Sequence, residues 1–345
     1  MTNKAVIIGA GAVGCLSALV LARRGWQVTL VDKGVLGGES SWAGGGILFP
    51  LLPWKYAEPV NRLALAGAAA YPALCEELTA ATGIDPQYQV SGMLALPDFG
   101  GAAAQQWCLQ HGVAAELRDG ALWLPTVAQA RNPRLMQALR AMLLQQEVQI
   151  VEHTELQSLP VAAGRITVWP SRDGRQFEAD AFIVTAGAWS GELLKEQVRH
   201  LHIKPMRGQM LLYHLPPGTL PHILYHEDFY LIPRLDGHIL AGSTVEDVGF
   251  DKATTPQAAD DLQRKASRLL PVLADAPLIK HWSGLRPGSP ENIPVIARHP
   301  AFDNLYLNTG HFRYGVTMAP ASAEILAGQL CGEASPAWAD AYAFP

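Results

Sequence analysis

Gly9-Ala10-Gly11-Ala12-Val13-Gly14 constrains the possible folds of this chain more than any other stretch. Residues 4–8 (Lys-Ala-Val-Ile-Ile) have the apolar, β-branched character of a short buried strand, and residues 12–24 read as a helix closed by Gly25. Residues 26–31 read as a second strand ending at Asp32, eighteen residues beyond the last glycine. Strand, helix and strand form a β-α-β unit with parallel strands and a right-handed crossover. Gly9 permits the tight turn, Gly11 lets a diphosphate approach the backbone, and Gly14 lets helix and strand pack closely. The helix N-terminus then faces the negative charge. Asp32 would accept hydrogen bonds from ribose hydroxyls and repel a 2′-phosphate, which disfavours NADP. A glycine-rich turn without a ligand accounts for the glycines but not for Asp32. The loop by itself does not decide between FAD and NAD.

The uncharged run Ala5–Ala22 after Lys4 superficially imitates a signal peptide. Three glycines at fixed offsets interrupt it, and the dinucleotide reading explains every residue there, so no membrane span and a cytoplasmic location are expected. The net charge is -5 and no Lys/Arg run exceeds two residues, which leaves no basic stripe for nucleic acid. Cys15, Cys75, Cys108 and Cys331 form no C-x-x-C pair, which argues against a zinc site, a redox dithiol and a disulfide framework. The histidines, His226 and His281 among them, show no metal spacing, and no metal is expected.

Residues 58–82 read as a long helix, with Pro59 in its first turn and Gly83 at its end. A strand over 88–96 and a helix over 101–111 follow, and Asn132-Pro133 opens a helix reaching Gln146. Strands are expected near 148–152, 154–159, 165–170 and 181–186. The pattern then turns antiparallel, with runs near 209–215, 223–233 and 238–243, the last two joined by Asp236-Gly237. Thr255-Pro256 caps a helix to Leu270. Residues 304–308 read as a strand, 310–315 as a turn and 319–331 as a helix. Nucleotide-type segments at the start, middle and end point to an α/β fold with an α+β insert. A discontinuous Rossmann-like domain (1–85, 133–205, 294–345) would carry an antiparallel-sheet substrate domain in two pieces (86–132, 206–293).

Further segments narrow the class. Glu39-Ser-Ser-Trp-Ala-Gly-Gly-Gly-Ile-Leu-Phe-Pro50 resembles the second flavin motif of bacterial glycine oxidases, the enzymes of the thiazole branch of thiamine synthesis. Ala186–Ser190, Phe229–Arg234 with Ala241–Thr244, Gly284–Gly288 and Gly310–Gly315 agree in order and spacing. The resemblance covers essentially the whole chain and is specific for the D-amino-acid/glycine oxidase superfamily. It implies non-covalent FAD held by Gly9, Ala10, Gly11, Ala12, Val13, Gly14, Asp32, Lys33, Ser40, Ser41, Gly44, Gly45, Gly46, Ile47 and Leu156. Ala186, Gly187, Trp189, His311, Phe312, Arg313, Tyr314, Gly315 and Val316 complete that set. Ser40 and Ser41 would donate hydroxyls to the diphosphate, and the 44–46 glycines leave bare backbone where the chain lies against a flat ring. The 310–315 turn, just ahead of a helix, would aim N–H groups at flavin O2 and N1.

Arg286, biased toward extended backbone by Pro287, suits a carboxylate clamp, and the resemblance implies that the Tyr230 hydroxyl supplies a second donor. Tyr230, Arg286 and Arg313 are the candidate catalytic residues; Arg313 serves either the substrate or an ion pair. The substrate pocket is expected to contain Ile47, Tyr230, Val245 and Arg286. Some glycine oxidases carry Met where this chain has Ile47 and Val245, so a larger substrate such as sarcosine, a small D-amino acid or a cyclic imino acid is open. The implied reaction is oxidative deamination: an amine loses hydride to the flavin, and oxygen takes the electrons to give peroxide. Two alternatives stand: a D-amino-acid dehydrogenase that reduces a quinone, and a flavin subunit of a heteromeric dehydrogenase. The resemblance also suggests a homotetramer.

Overall fold

The computed structural model describes residues 2–160, 163–334 and 336–344. Its centre is a six-stranded sheet in the order 295–298, 305–309, 181–184, 4–8, 27–31, 149–151. All neighbours run parallel except the 295–298 edge strand. Ile7 lies between Leu30 and Ile183 in register, and all three are fully buried. Strands covered on both faces read as unbroken apolar runs, which is why this part of the sequence was readable. The Ala12–Arg23 helix is also apolar almost all round, and it packs against the Gly315–Cys331 helix. The Glu58–Thr82 helix has its expected bounds: Gly83, at φ 71°, closes it with its N–H on the Thr79 carbonyl at 2.9 Å.

A second sheet of eight strands has the order 278–288, 204–214, 238–242, 229–233, 223–226, 93–95, 121–124, 116–118. It is antiparallel except where 223–226 meets 93–95. Alternation along Phe229–Pro233 sends Phe229 and Leu231 into one apolar cluster, which the Pro256–Leu269 helix covers with Leu262 and Ala266. Tyr230 and Ile232 point the other way, into the main core.

Several expected elements differ. The 223–233 run is two strands, turned at Glu227 and Asp228, both with positive φ. The asparagine- and glycine-free turn carried no recognisable signal. The 154–159 strand is absent but for a bridge between Leu156 and Ser171, and the 165–170 strand shrinks to Trp169–Pro170. Trp169 is fully buried and donates its indole N–H to the Gln157 carbonyl, so packing holds this segment more than a ladder does. The last helix starts at Gly315, not 319, directly after a 3-10 turn over Phe312–Tyr314. Pro320 sits inside it, in the second turn. No helix among the described residues is long and apolar enough to cross a membrane.

Candidate active site

A cavity of about 680 Å³ runs from the carboxyl ends of the parallel strands to the inner face of the antiparallel sheet, the size of a cofactor-and-substrate site. At the strand end, the Asp32 carboxylate accepts the Ala10 and Gly34 amides, both at 2.7 Å. Burial raises the pKa of this carboxyl, while the two amide donors act in the opposite direction. Gly9 sits at φ 113°, and a Cβ there would lie 2.5 Å from the Thr185 carbonyl oxygen. A Cβ on Gly14 would come within 1.9 Å of the Gly9 oxygen, so its role is close packing. The Ala12–Arg23 helix has no side-chain cap at Gly11. Ser41 Oγ accepts the Ala12 N–H at 2.9 Å, which orients its own hydroxyl proton elsewhere. Ser41 thus takes the first amide of this helix from outside, and the positive end of the helix dipole lies beside the cavity, where negative charge is favoured.

The second wall is the 310–315 turn. Phe312 holds φ 44°, a left-handed conformation that costs energy for a bulky residue. The helix that follows has no side-chain cap. His311 is buried, and its pKa is pushed down to about 3 by burial. A hydrogen-bond chain assigns its tautomer. Asn308 Nδ2 donates to Ser17 Oγ at 3.2 Å and to the Ser322 carbonyl at 3.4 Å, so its Oδ1 accepts the Ser322 hydroxyl at 2.5 Å. Ser322 Oγ therefore receives Nε2–H of His311 at 2.8 Å.

At the far end, Arg286 Nη2 donates to Ser243 Oγ at 2.7 Å and Nη1 to the Thr244 carbonyl at 3.2 Å. Both partners are neutral. Burial lowers the Arg286 pKa first of all; Tyr230 opposes that shift, and the Arg313 charge adds to it. The Tyr230 hydroxyl contacts Met210 Sδ at 3.6 Å. The guanidinium lies over Gly208, where a Cβ would come within 2.1 Å of Nη1. The 204–214 and 278–288 strands pair from Lys204 with Gly288 to Tyr213 with Leu278, which brings Gly208 opposite Gly284 and fixes this close approach.

Every proposed site residue borders the cavity except three. Ala10 and Gly14 form the buried backing of the loop, where Ala10 reaches the site only through Asp32. Val245 is a correction: it is 40% exposed and lies outside the cavity. Its neighbours Thr244 and Glu246 are held by Gln209 and Arg207, which turns the intervening side chain outward. Gly46 is also required for a reason other than a flat ring in front of it. A Cβ on Gly46, at φ 77°, would lie 2.1 Å from the Ala130 oxygen, whereas one on Gly45 would meet the movable Ile232 Cδ1 at 2.6 Å. The backbone behind the loop demands glycine at 46, whatever lies in front.

Four residues escaped the sequence reading. Ser243 and Gly208 seat Arg286. Arg234 is buried, donates to the Gly45 carbonyl at 2.7 Å and to Gln129 Oε1 at 2.5 Å, and burial lowers its pKa to about 9. Arg207 is 4% exposed and pairs with Glu246 at 2.6 Å and Asp251 at 2.8 Å, pinning the 244–255 loop. Only Arg234 and Ser243 stood in a recognised segment, and nothing in the spacing disclosed their partners. Near the surface, Asp98, His226 and Glu227 place ligand-type atoms within 4.8 Å of one another, a grouping invisible in the sequence.

An acid at the end of the second strand, a helix start at Gly11 and a second helix start at the 312–315 turn fit a diphosphate-linked dinucleotide along one continuous cavity. The family model "FAD dependent oxidoreductase" matches residues 4–329. The chain is 42% identical to a glycine oxidase of Pseudomonas aeruginosa, over 96% of each chain. It is 31% identical to a bifunctional protein ThiO/ThiG of Synechocystis, over 94% of this chain and 51% of that one. The crystal structure of a glycine oxidase from Bacillus cereus superposes with a TM-score of 0.88 at 24% identity, covering 100% of this chain and 99% of that one. This chain belongs to the FAD-dependent oxidoreductase family.

Proposed function

We propose that the chain oxidises glycine and other small amino acids to the imino acid, with oxygen as electron acceptor. The division into nucleotide domain (1–85, 133–205, 294–345) and substrate domain (86–132, 206–293) belongs to the same proposal. The observation that carries it is Arg286: a guanidinium at the cavity end whose hydrogen-bond partners are both neutral. Such a group is completed by a carboxylate taking two parallel hydrogen bonds. FAD, when bound, supplies the two-electron oxidation.

The chain's own residues do the rest. Arg286 and Tyr230 hold the substrate carboxylate and thereby fix the α-carbon within the cavity. Gly208 and Ser243 hold Arg286 in place. The 312–315 turn and the helix it opens present a positive dipole end to charge developing on that wall. Glu246, the carboxylate near Arg286, is committed to Arg207 and lies outside the cavity lining, and His311 has its Nε2–H committed to Ser322 and is held neutral. The amine must therefore be neutral when it reacts, its proton leaving to solvent. The Pseudomonas relative supports glycine as substrate, and the ThiO/ThiG relative supports use of the imine in thiazole assembly.

The test is stoichiometry. The loaded enzyme with glycine in air is expected to form one peroxide per glyoxylate. Glyoxylate formed only with an added quinone, without peroxide, would establish the dehydrogenase instead.

A further inference from the structure

The cavity that holds Arg286 is bordered by a second guanidinium. Arg313 stands on the 312–314 turn, which packs against the 278–288 strand that carries Arg286. Its guanidinium stands 5.6 Å from the Phe312 ring, and among the described residues it forms no ion pair. Its charge is felt by Arg286 on one side and by Tyr225 on the other. Asp228, on the adjoining turn, accepts the Tyr225 hydroxyl at 2.9 Å and pairs with no cation among the described residues.

The other acids of the cavity are placed toward its nucleotide end. Asp32 takes two backbone amides, Glu39 pairs with Lys252 at 2.9 Å, and Glu155 pairs with Arg172 at 3.1 Å. Glu192 stands on the short 190–194 helix that follows Trp189. The Arg313 charge adds to the cost of the Arg286 guanidinium, and a bound anion relieves it. A monocarboxylate relieves one of the two guanidiniums.

We propose that Arg313 is a second anion subsite, so that the substrates this chain prefers are amino acids carrying a second carboxylate. The proposal rests on the oxidase reading of the Arg286 site and names its substrate class. The second acid could sit on the amine substituent or on the side chain; both meet Arg313 through the same charge-assisted hydrogen bonds. In the first case iminodiacetate loses a hydride from one α-carbon and a proton from nitrogen. Water adds to the imine and the C–N bond breaks: iminodiacetate, oxygen and water give glycine, glyoxylate and peroxide. In the second, D-aspartate, oxygen and water give oxaloacetate, ammonia and peroxide.

The experiment compares kcat/KM of the FAD-loaded enzyme for glycine, sarcosine, iminodiacetate and D-aspartate, before and after Arg313→Ala. At least one dicarboxylate is expected to exceed glycine by about tenfold, and the substitution is expected to cut the dicarboxylate-to-glycine ratio by about 100-fold. Which of the two dicarboxylates wins locates the second acid. Binding gives an independent reading: malonate should perturb the flavin spectrum at lower concentration than acetate, and lose that advantage in the variant. Oxidation of glycine with no dicarboxylate preference, or an equal loss on all substrates in Arg313→Ala, overturns this inference alone. Failure to oxidise any of the four overturns the reading beneath it.

Discussion

Arg286 owes its position to a neighbour with no side chain. Its guanidinium occupies the space above Gly208, and Ser243 and the Thr244 carbonyl hold its two nitrogens. Arg286 itself was legible, because a lone Arg between Leu285 and Pro287 in a glycine-flanked segment matched a known pattern. Gly208 and Ser243 were not, because they meet it through cross-strand register over distances of forty residues or more, which no local pattern encodes. Val245 shows the converse: its place in the pattern suggested a pocket residue, and the hydrogen bonds on either side of it turn it to solvent. Truncation of Arg286 removes a buried charged contact worth about 2–5 kcal/mol. Arg286→Ala should therefore lower kcat/KM on glycine by about 100-fold or more, with flavin content per chain unchanged. Steady-state kinetics with the flavin absorbance as a control checks both halves.

The elements that read correctly from the sequence are those with a physical stop signal or a continuous apolar run. Pro59 and Gly83 bound the Glu58–Thr82 helix, and the central parallel strands are buried on both faces. Those that misread depend on tertiary support: the 154–159 and 165–170 runs are held by Trp169, and the start of the last helix is set by the turn before it. That turn carries a testable consequence. His311 is neutral and buried between the 305–309 strand and the last helix, with a pKa of about 3 in the fold. In the unfolded chain it titrates near its ordinary value, about 6.5. A base depressed in the fold contributes stability present above the unfolded pKa and lost as pH falls toward the folded one. Between about pH 6.5 and 3 the slope from this group is about 1.4 kcal/mol per pH unit. His311→Gln should flatten the fall of Tm between pH 7 and 5; an unchanged slope would assign the loss to other groups. Arg234 ties the 229–233 strand to the Gly45 carbonyl and the 128–130 backbone. Arg234→Met leaves those acceptors unpaired, at about 1–3 kcal/mol. Weaker FAD binding by about tenfold or more, read by titrating apoprotein with flavin, is the expected result.

At the scale of the whole molecule, the cavity is assembled from the ends of the chain and its middle. Asp32 and Gly11 come from the first β-α-β unit, Tyr230 and Arg286 from the antiparallel sheet, and Arg313 from the turn before the last helix. The fold class was legible because the nucleotide-type segments recur along the sequence with antiparallel runs between them. The convergence of both sheets on one cavity was not, since it depends on packing between elements far apart in the chain. The proposed function requires that a cofactor along one wall and a carboxylate clamp on the other meet at a substrate amine. Anaerobic titration of the purified, FAD-loaded chain with glycine tests that meeting directly. Loss of the oxidised flavin absorbance, complete at one two-electron equivalent per flavin and slowed about 100-fold or more in Arg286→Ala, is the predicted result. An absorbance that stays at its oxidised value with saturating glycine, sarcosine, iminodiacetate and D-aspartate would contradict it.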